Sequence, residues 1–478
     1  MLLSTYDLLV IGGGSAGLTA AKFAANFGKS VAIVEKARLG GDCTWTGCVP
    51  SKTLLGCANA AHSARGSPKF GVSTTGVQVD YTAIRQRVLD TVQKIYDEDD
   101  SPGALKKLGI DTIEGQASFL DATTLQVKGS DGTLQELKSK SGIVIGTGAE
   151  PIVPDIQGLD LVNYITYNEI FTMEALPPRL IVIGGGPIGC ELSQAFSRLG
   201  SKVTLVASKL LPALDDLAGE TIRRVLEHEG VTVVSSRAES VRKTSEITVT
   251  CVDGTVVKGD TLLVATGRRP VTEGMDLDKI NVRLDDSGGI LVDDRLLTTC
   301  KGVYAAGDCT GDQQFTHYAG FQGGIAARNA LLPLSSGGVI SDVPGCTFTS
   351  PEVAHIGMTK RAAIDKFGND GVRVMMKELA TMDRAICSGT NDFGFIQIVT
   401  KHSNGEILGC TIIAPPAGEM MGEISVAMAA KMKLPDMTMV MHAYPTYSMP
   451  FQFLGASLYY EKLKKNKKLY DFLKRIGL

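Results

Sequence analysis

Several absences narrow the reading of this chain. No apolar run reaches membrane-spanning length, so nothing in the sequence reads as a transmembrane helix. Neither charge is in large excess: 48 Lys and Arg stand against 51 Asp and Glu, and a net charge of −3 gives no electrostatic case for nucleic acid binding. The ten cysteines lack the dense, regular spacing of a secreted disulfide scaffold, and neither Cys-x-x-Cys pairs nor clustered histidines appear. Only five residues precede the first expected strand, Tyr6–Ile11, which leaves no room for a signal or transit peptide. The expected location is the cytoplasm, or an organelle matrix or stroma if a presequence has been removed. What remains is a chain of 478 residues, 44% hydrophobic and 21% charged, enough for two to four folded domains.

Two glycine signatures stand out. Tyr6–Ile11 runs into Gly12-x-Gly14-x-x-Gly17, and Leu180–Ile183 runs into Gly184-x-Gly186-x-x-Gly189. Each joins an apolar strand to a helix-like segment. Glycines there permit a tight turn and close approach of a pyrophosphate, which then faces a helix N-terminus. A single copy is weak, but two correctly placed copies point to two dinucleotide sites. The two copies differ in the residues beyond them. Eighteen residues after Gly17, the strand Ser30–Val34 ends in Glu35, an acceptor for a ribose 2′-OH. Eighteen residues after Gly189, the strand Lys202–Val206 ends in Ala207, Ser208 and Lys209. No acid is present to repel a 2′-phosphate, and Lys209 can attract one. The first site suits FAD; the second suits NADPH better than NADH.

Two more apolar segments end in Thr-Gly, at Thr147-Gly148 and Thr266-Gly267, and read as strand ends against nucleotide. A charged helical stretch, 83–108, lies before the first of them. Val303–Ala305 ends in Ala306-Gly307-Asp308, which sets a carboxylate where it can bind a polyol hydroxyl. From Pro344 the pattern changes to strands such as Val372–Met376 and Phe395–Val399, then a Met-rich helix over Gly418–Lys433, read as core or subunit interface. The basic run Lys464-Lys465-Asn466-Lys467-Lys468 reads as a solvated helix end.

The segment Gly40-Gly41-Asp42-Cys43-Thr44-Trp45-Thr46-Gly47-Cys48-Val49-Pro50-Ser51-Lys52 lies beyond the first glycine signature. A dithiol beside a redox cofactor can be oxidised and re-reduced at every turnover. A structural disulfide or a zinc half-site are the other uses of Cys-x4-Cys, and no partner ligands appear to complete a metal site.

With these motifs, the chain resembles the FAD-dependent pyridine nucleotide-disulfide oxidoreductases, among them glutathione reductase, dihydrolipoamide dehydrogenase and mercuric reductase. The resemblance covers essentially the whole chain. It implies an α/β fold with two Rossmann-like dinucleotide-binding domains, for FAD and NAD(P)H, and a C-terminal α+β dimerisation domain. The implied bounds are 1–154 and 285–343 for FAD, 155–284 for NAD(P)H, and 344–478 for dimerisation. It further implies a homodimer acting in cell redox homeostasis, each active site completed by the other subunit. Cys48 would lie against the flavin and Cys43 would be the interchange thiol. Lys52 would sit near flavin N5 and pair with Glu191. Gly12, Gly14, Gly17, Glu35, Lys52, Thr147, Gly148 and Asp308 would hold FAD. Gly184, Gly186, Gly189, Ser208, Lys209 and Gly267 would hold NADPH. Thiolate is the reactive species, and a helix N-terminus near Cys48 with the Lys52 charge would favour it. Asp42 is expected to oppose a thiolate at Cys43.

One part of the family pattern is missing. The usual C-terminal His-Pro-Thr-x-x-Glu, whose His serves the interchange thiol as acid and base, is here Tyr444-Pro445-Thr446-Tyr447-Ser448-Met449. His442 falls two residues early, roughly 6.5 Å from Tyr444 in extended chain. A general base typically contributes about 10²–10⁴-fold. Tyrosine is a poor base at neutral pH and a good hydrogen-bond donor. The substitution, with Cys43–Cys48 and Phe315–Gly320, resembles the mercuric reductase-like branch. Against that branch, no vicinal cysteines are expected at the C-terminus and no metal-binding module at the N-terminus. The reading is an NADPH- and FAD-dependent oxidoreductase that reduces a thiol-reactive acceptor. A low-molecular-weight disulfide reductase, or a thiol-independent NAD(P)H diaphorase or quinone reductase, are the alternatives. No resident metal is expected.

Overall fold

The computed structural model describes residues 3–476. Gly477 and Leu478, the last residues of the tail in which no vicinal cysteines are expected, lie outside them. The chain forms two compact units: Met1–Gly184, Ala195–Val206 and Arg237–Ile340 make the first, and Gly185–Gln194, Ala207–Ser236 and Ser341–Leu478 the second.

The first unit is built on a seven-stranded sheet. Ile110–Glu114, Val31–Glu35, Leu3–Ile11 and Leu134–Ile145 lie parallel, and Val303–Ala305 also pairs with Leu134–Ile145. Leu134–Ile145 then meets Thr124–Lys128 and Gln116–Asp121 in antiparallel pairing. Both sheet faces are covered, which explains the unbroken apolar run Leu8–Ile11. Leu9 and Ile11 enter one core, and Leu8 and Val10 enter the other. Each such fully buried side chain is worth about 1.5–3 kcal/mol relative to exposure.

Small residues set the spacing on one of these faces. The helix Ser15–Asn26 buries Ala16, Ala20, Ala21 and Ala24, and the helix Thr316–Leu331 buries Ala319, Ala326 and Ala327. A Cβ on Gly323 would stand 2.0 Å from the Ala16 carbonyl oxygen, so the helices meet at a contact that no larger residue permits. A second parallel arrangement joins Lys202–Val206, Arg179–Ile183 and Thr261–Val264. Ala238–Lys243, Ile247–Cys251 and Val256–Gly259 form an antiparallel sheet of their own.

The charged stretch expected to be one helical run, 83–108, is divided. The helix Tyr81–Ile95 passes into a π-helical turn, Tyr96–Asp100, followed by the helix Pro102–Lys107. Ser101 and Pro102 cause the break. Ser101 Oγ accepts from Ala104 N at 3.2 Å as an N-cap, and Pro102 fits the first turn of a new helix but not the interior of an old one.

The second unit carries a five-stranded antiparallel sheet in the order Gly345–Thr347, Glu352–Gly357, Ile407–Ala414, Phe395–Lys401, Val372–Glu378. The Met-rich segment forms the helix Ala417–Ala429, and its Met420, Met421 and Ile424 pack with Ile396, Ile412 and Phe451. The stripe is therefore core. Among the described residues, no helix is long and apolar enough to cross a membrane.

Candidate active site

Cys43 lies in the short helix Gly41–Trp45, and Cys48 is the first residue of the helix Cys48–Gly66. Both are half-buried. A helix N-terminus favours negative charge by about 0.3–1 kcal/mol at exposed sites, so Cys48 is the member of the pair placed to carry it. The Cys43 thiol is pushed well above its usual range. Its hydrogen bond to Cys48 is the main cause, burial adds to it, and the nearby Cys48 and Asp100 charges act in the same direction. Thr316 Oγ1 lies 3.2 Å from Cys48 Sγ. The two sulfurs thus differ in setting: Cys48 begins the long helix Cys48–Gly66, and Cys43 lies in the short helix before it.

The expected opposition from Asp42 is not what the geometry gives. Asp42 Oδ2 is turned to Arg268, 2.8 Å from a terminal guanidinium nitrogen, and accepts from Tyr167 Oη at 3.2 Å. The acid that bears on Cys43 is Asp100, buried on the π-helical turn and accepting from Thr44 Oγ1 at 2.8 Å. Burial raises the Asp100 carboxyl above the ordinary range, against the pull of Thr44 and Lys22 and with the push of Asp99. The same turn supports the loop through aromatic contact. The Trp45 ring sits 4.9 Å from Tyr96, the Arg38 guanidinium lies 4.8 Å over it, and its Nε1 donates to Leu39 O at 2.7 Å.

Arg268 links the redox loop to Asp308. It donates to Asp42 and, at 2.7 Å, to Asp308 Oδ2, while its Nε donates to Tyr167 Oη at 3.2 Å. Burial works against its charge, but Asp308, Tyr167 and Asp42 more than offset that and hold its pKa above the usual guanidinium value. Asp308 shows the converse balance: burial raises its carboxyl, and Arg268 opposes the rise.

The first glycine turn fits an adenosine diphosphate. A Cβ on Gly17 would fall 1.9 Å from the Gly12 carbonyl oxygen, so only glycine lets the helix begin this close to the strand. Glu35 closes the turn, accepting from Gly13 N and Ala37 N at 2.7 Å each. Thr147 Oγ1 donates to Val271 O at 2.5 Å, and Gly148 takes a left-handed conformation with φ of 72°. The second Thr-Gly segment is tied similarly: Thr266 Oγ1 donates to Ile152 O at 2.9 Å, and Gly267 O accepts from Ile152 N at 2.9 Å.

In the second glycine signature, Gly184 has φ of 124° and Gly186 has open space where a Cβ would stand. Gly189 lies within the helix Pro187–Leu199. Ser208 is exposed, and Lys209 Nζ is 2.6 Å from Asp216 Oδ1. The lysine expected to meet a 2′-phosphate therefore already has an acid partner.

Lys52 follows Cys48 by about one helical turn, and both line a cavity of about 1040 Å³ between the helices Cys48–Gly66 and Tyr81–Ile95. Its walls include Val49, Cys57, Ile84 and Arg87. Glu191 is buried and accepts from Phe348 N at 2.8 Å.

In the C-terminal segment, Tyr444 is exposed and donates to Asp383 Oδ2 at 2.9 Å, a bond that raises the phenol above its usual pKa. It is a donor rather than a base. His442 is committed elsewhere: Nε2 meets Glu423 Oε1 at 2.7 Å and Nδ1 meets Val440 O at 2.9 Å.

Sequence reasoning missed Arg268, Asp100, Tyr167 and Thr316. Arg268 directly follows the Thr266-Gly267 segment and was within reach of that motif. Asp100 sits in the run Asp97-Glu98-Asp99-Asp100, where nothing distinguishes a buried acid from its solvated neighbours.

Parallel sheets ending in glycine turns, with a dithiol at a helix start, define a dinucleotide-dependent redox enzyme. Residues 6–323 match the family described as pyridine nucleotide-disulphide oxidoreductase, and residues 343–452 match its dimerisation domain. The chain belongs to this family, whose members use FAD and NAD(P)H. The dimerisation domain supports a homodimer. A mercuric reductase of Lysinibacillus sphaericus is 34% identical over 92% of this chain and 80% of its own. A dihydrolipoyl dehydrogenase of Bacillus subtilis is 32% identical over 92% of this chain and 96% of its own. Among solved structures, the Cu(II) complex of the HOCl-induced flavoprotein disulfide reductase RclA from Escherichia coli superposes with a TM-score of 0.84. It is 26% identical, over 95% of this chain and 99% of that one.

Proposed function

We propose that this enzyme passes electrons from NADPH through FAD to Cys43–Cys48 and on to a thiol-reactive acceptor, with a soft metal ion such as Hg(II) as the first candidate. The observation that carries this reading is the neighbouring dithiol, with Cys43 in the short helix Gly41–Trp45 and Cys48 at the N-terminus of the next helix. FAD, when bound, accepts two electrons from NAD(P)H and passes them to the cysteine pair. The Cys43–Cys48 bond then opens to two thiols as two electrons arrive, with one hydrogen coming from the hydride that leaves NADPH and one proton from solvent. The pair closes again as two electrons pass to the acceptor and both protons are released.

In this reading Gly12, Gly14, Gly17, Glu35, Thr147, Gly148 and Asp308 hold FAD, with Arg268 holding Asp308. Lys52 sits near the flavin. Gly184, Gly186, Gly189, Ser208, Lys209 and Gly267 hold NADPH, and the Lys209–Asp216 pair tempers the preference over NADH. Residues 1–154 and 285–343 form the FAD domain, 155–284 the NADPH domain, and 344–478 the dimerisation domain. Tyr444 serves the partner's site as a hydrogen-bond donor.

A dithiol without a strong base suits an acceptor that needs little proton transfer. Soft thiolate ligands favour soft metal ions. The mercuric reductases among the relatives and the Cu(II) complex of RclA support a metal acceptor. A second reading, thiol-independent quinone reduction, draws on the largely apolar cavity beside Cys48 and Lys52. The test is an NADPH-driven screen of Hg(II), glutathione disulfide, lipoamide and quinones, on the natural protein and on the Cys43→Ser, Cys48→Ser double variant. Quinone reduction that survives in the variant, with no metal or disulfide reduction in the natural protein, would replace the first reading by the second.

A further inference from the structure

The segment beyond residue 452, where the match to the dimerisation domain ends, continues through the helix Met449–Lys465 into a separate helix, Lys467–Arg475. This last helix is sharply two-sided. Leu469, Phe472 and Ile476 recur at intervals of three and four, the spacing of one helix face. They are 53%, 57% and 55% exposed, whereas the apolar residues Phe451, Leu454 and Leu458 of the preceding helix are buried. Lys467 and Lys474 lie on the opposite face, and Lys468 and Arg475 border the apolar one. From Lys462 to Ile476 there are seven basic residues and one acid, Asp471, in a chain whose net charge is −3. A solvated helix end accounts for the lysines but not for three large apolar side chains in line on the other face.

We infer that the helix Lys467–Arg475 seats this protein on an anionic lipid surface. The chemistry matches on both sides: the apolar stripe enters the boundary between headgroups and acyl chains, and the flanking lysines reach back to the phosphates. A second copy of the same helix is a poorer occupant, because the basic residues that border one apolar stripe would meet those bordering the other. One helix of nine residues gives shallow, reversible binding, and a homodimer would present two. Nothing in this inference depends on which acceptor the dithiol reduces.

The experiment is sedimentation of the full-length, FAD-loaded enzyme with two sets of vesicles, one of phosphatidylcholine alone and one of phosphatidylcholine mixed with phosphatidylserine. The expected result is about tenfold or more tighter binding to the mixed vesicles, weakened by salt. Leu469→Ser with Phe472→Ser should abolish the binding. Lys467→Glu with Lys468→Glu should remove the preference for phosphatidylserine. In both variants NADPH-dependent dye reduction should stay at the natural level, which confirms a folded enzyme. Equal, negligible sedimentation with both vesicles would overturn the inference. So would an unchanged affinity in the serine variant, or a change of oligomeric state in that variant, which would make the stripe a contact between copies.

Discussion

The Cys43–Cys48 loop and the segment around Tyr444 make opposite use of their surroundings. The loop is half-buried and held from several sides: Thr44 by Asp100, Trp45 by Tyr96 and Arg38, and Asp42 by Arg268. In the Tyr444 segment, Tyr444 is exposed with one bond to Asp383, and His442 is drawn away to Glu423 and Val440. In the proposed reading, the first region fixes where electrons can go, and the second lacks the imidazole that would move protons for them. On that reading a redox centre and its proton supply are separable, and only the first follows the family's usual pattern.

The largest effect that tests this contrast is loss of the dithiol. Cys43→Ser with Cys48→Ser should lower NADPH-dependent metal or disulfide reduction by about 10³-fold or more while dye reduction persists, as stopped assays with both acceptors would show. The other side of the contrast predicts a gain. Tyr444→His should raise glutathione disulfide reduction by about tenfold, a fraction of what a fully oriented base provides. No gain in steady-state rate would mean that the imidazole needs the glutamate that Met449 replaces.

A smaller effect tests the loop's own electrostatics. Asp100 raises the Cys43 pKa, so Asp100→Asn, which keeps an acceptor for Thr44 and removes the charge, should lower it. More thiolate at a given pH means that iodoacetamide labelling of reduced Cys43 should move to lower pH. A profile unchanged in Asn but disturbed in Asp100→Ala would assign Asp100 a purely mechanical part. The smallest effect concerns coenzyme choice. Lys209→Ala should cut the NADPH-to-NADH preference by only a few-fold, because Asp216 already shares the charge, and Asp216→Asn should enhance that preference modestly. Ratios of kcat/KM for the two coenzymes decide it.

The strands and glycine turns were legible because parallel strands buried on both faces leave unbroken apolar runs, as at Leu8–Ile11, and because Gly17 stands where any side chain would strike Gly12. The cysteine pair stood out by its spacing, and its redox reading came with the family resemblance. The partners of that pair were not. Arg268 and Asp100 reach the loop across more than 50 residues of sequence, and their contacts depend on tertiary folding rather than on any local period. The assignment of Asp42 to Cys43 failed for the same reason: adjacency in sequence says nothing about where a carboxylate turns once a buried guanidinium is near. The break at Ser101-Pro102 was visible in the residues, but its π-helical lead-in, Tyr96–Asp100, obeys no simple periodicity.

That π-helical turn also holds Tyr96 against Trp45, the sole tryptophan of the chain, two residues from Cys43 and three from Cys48. The indole should therefore serve as a built-in optical gauge: a change at the sulfurs that shifts the loop against the turn would alter the tryptophan's surroundings, and its emission would follow the state of the pair without an added label.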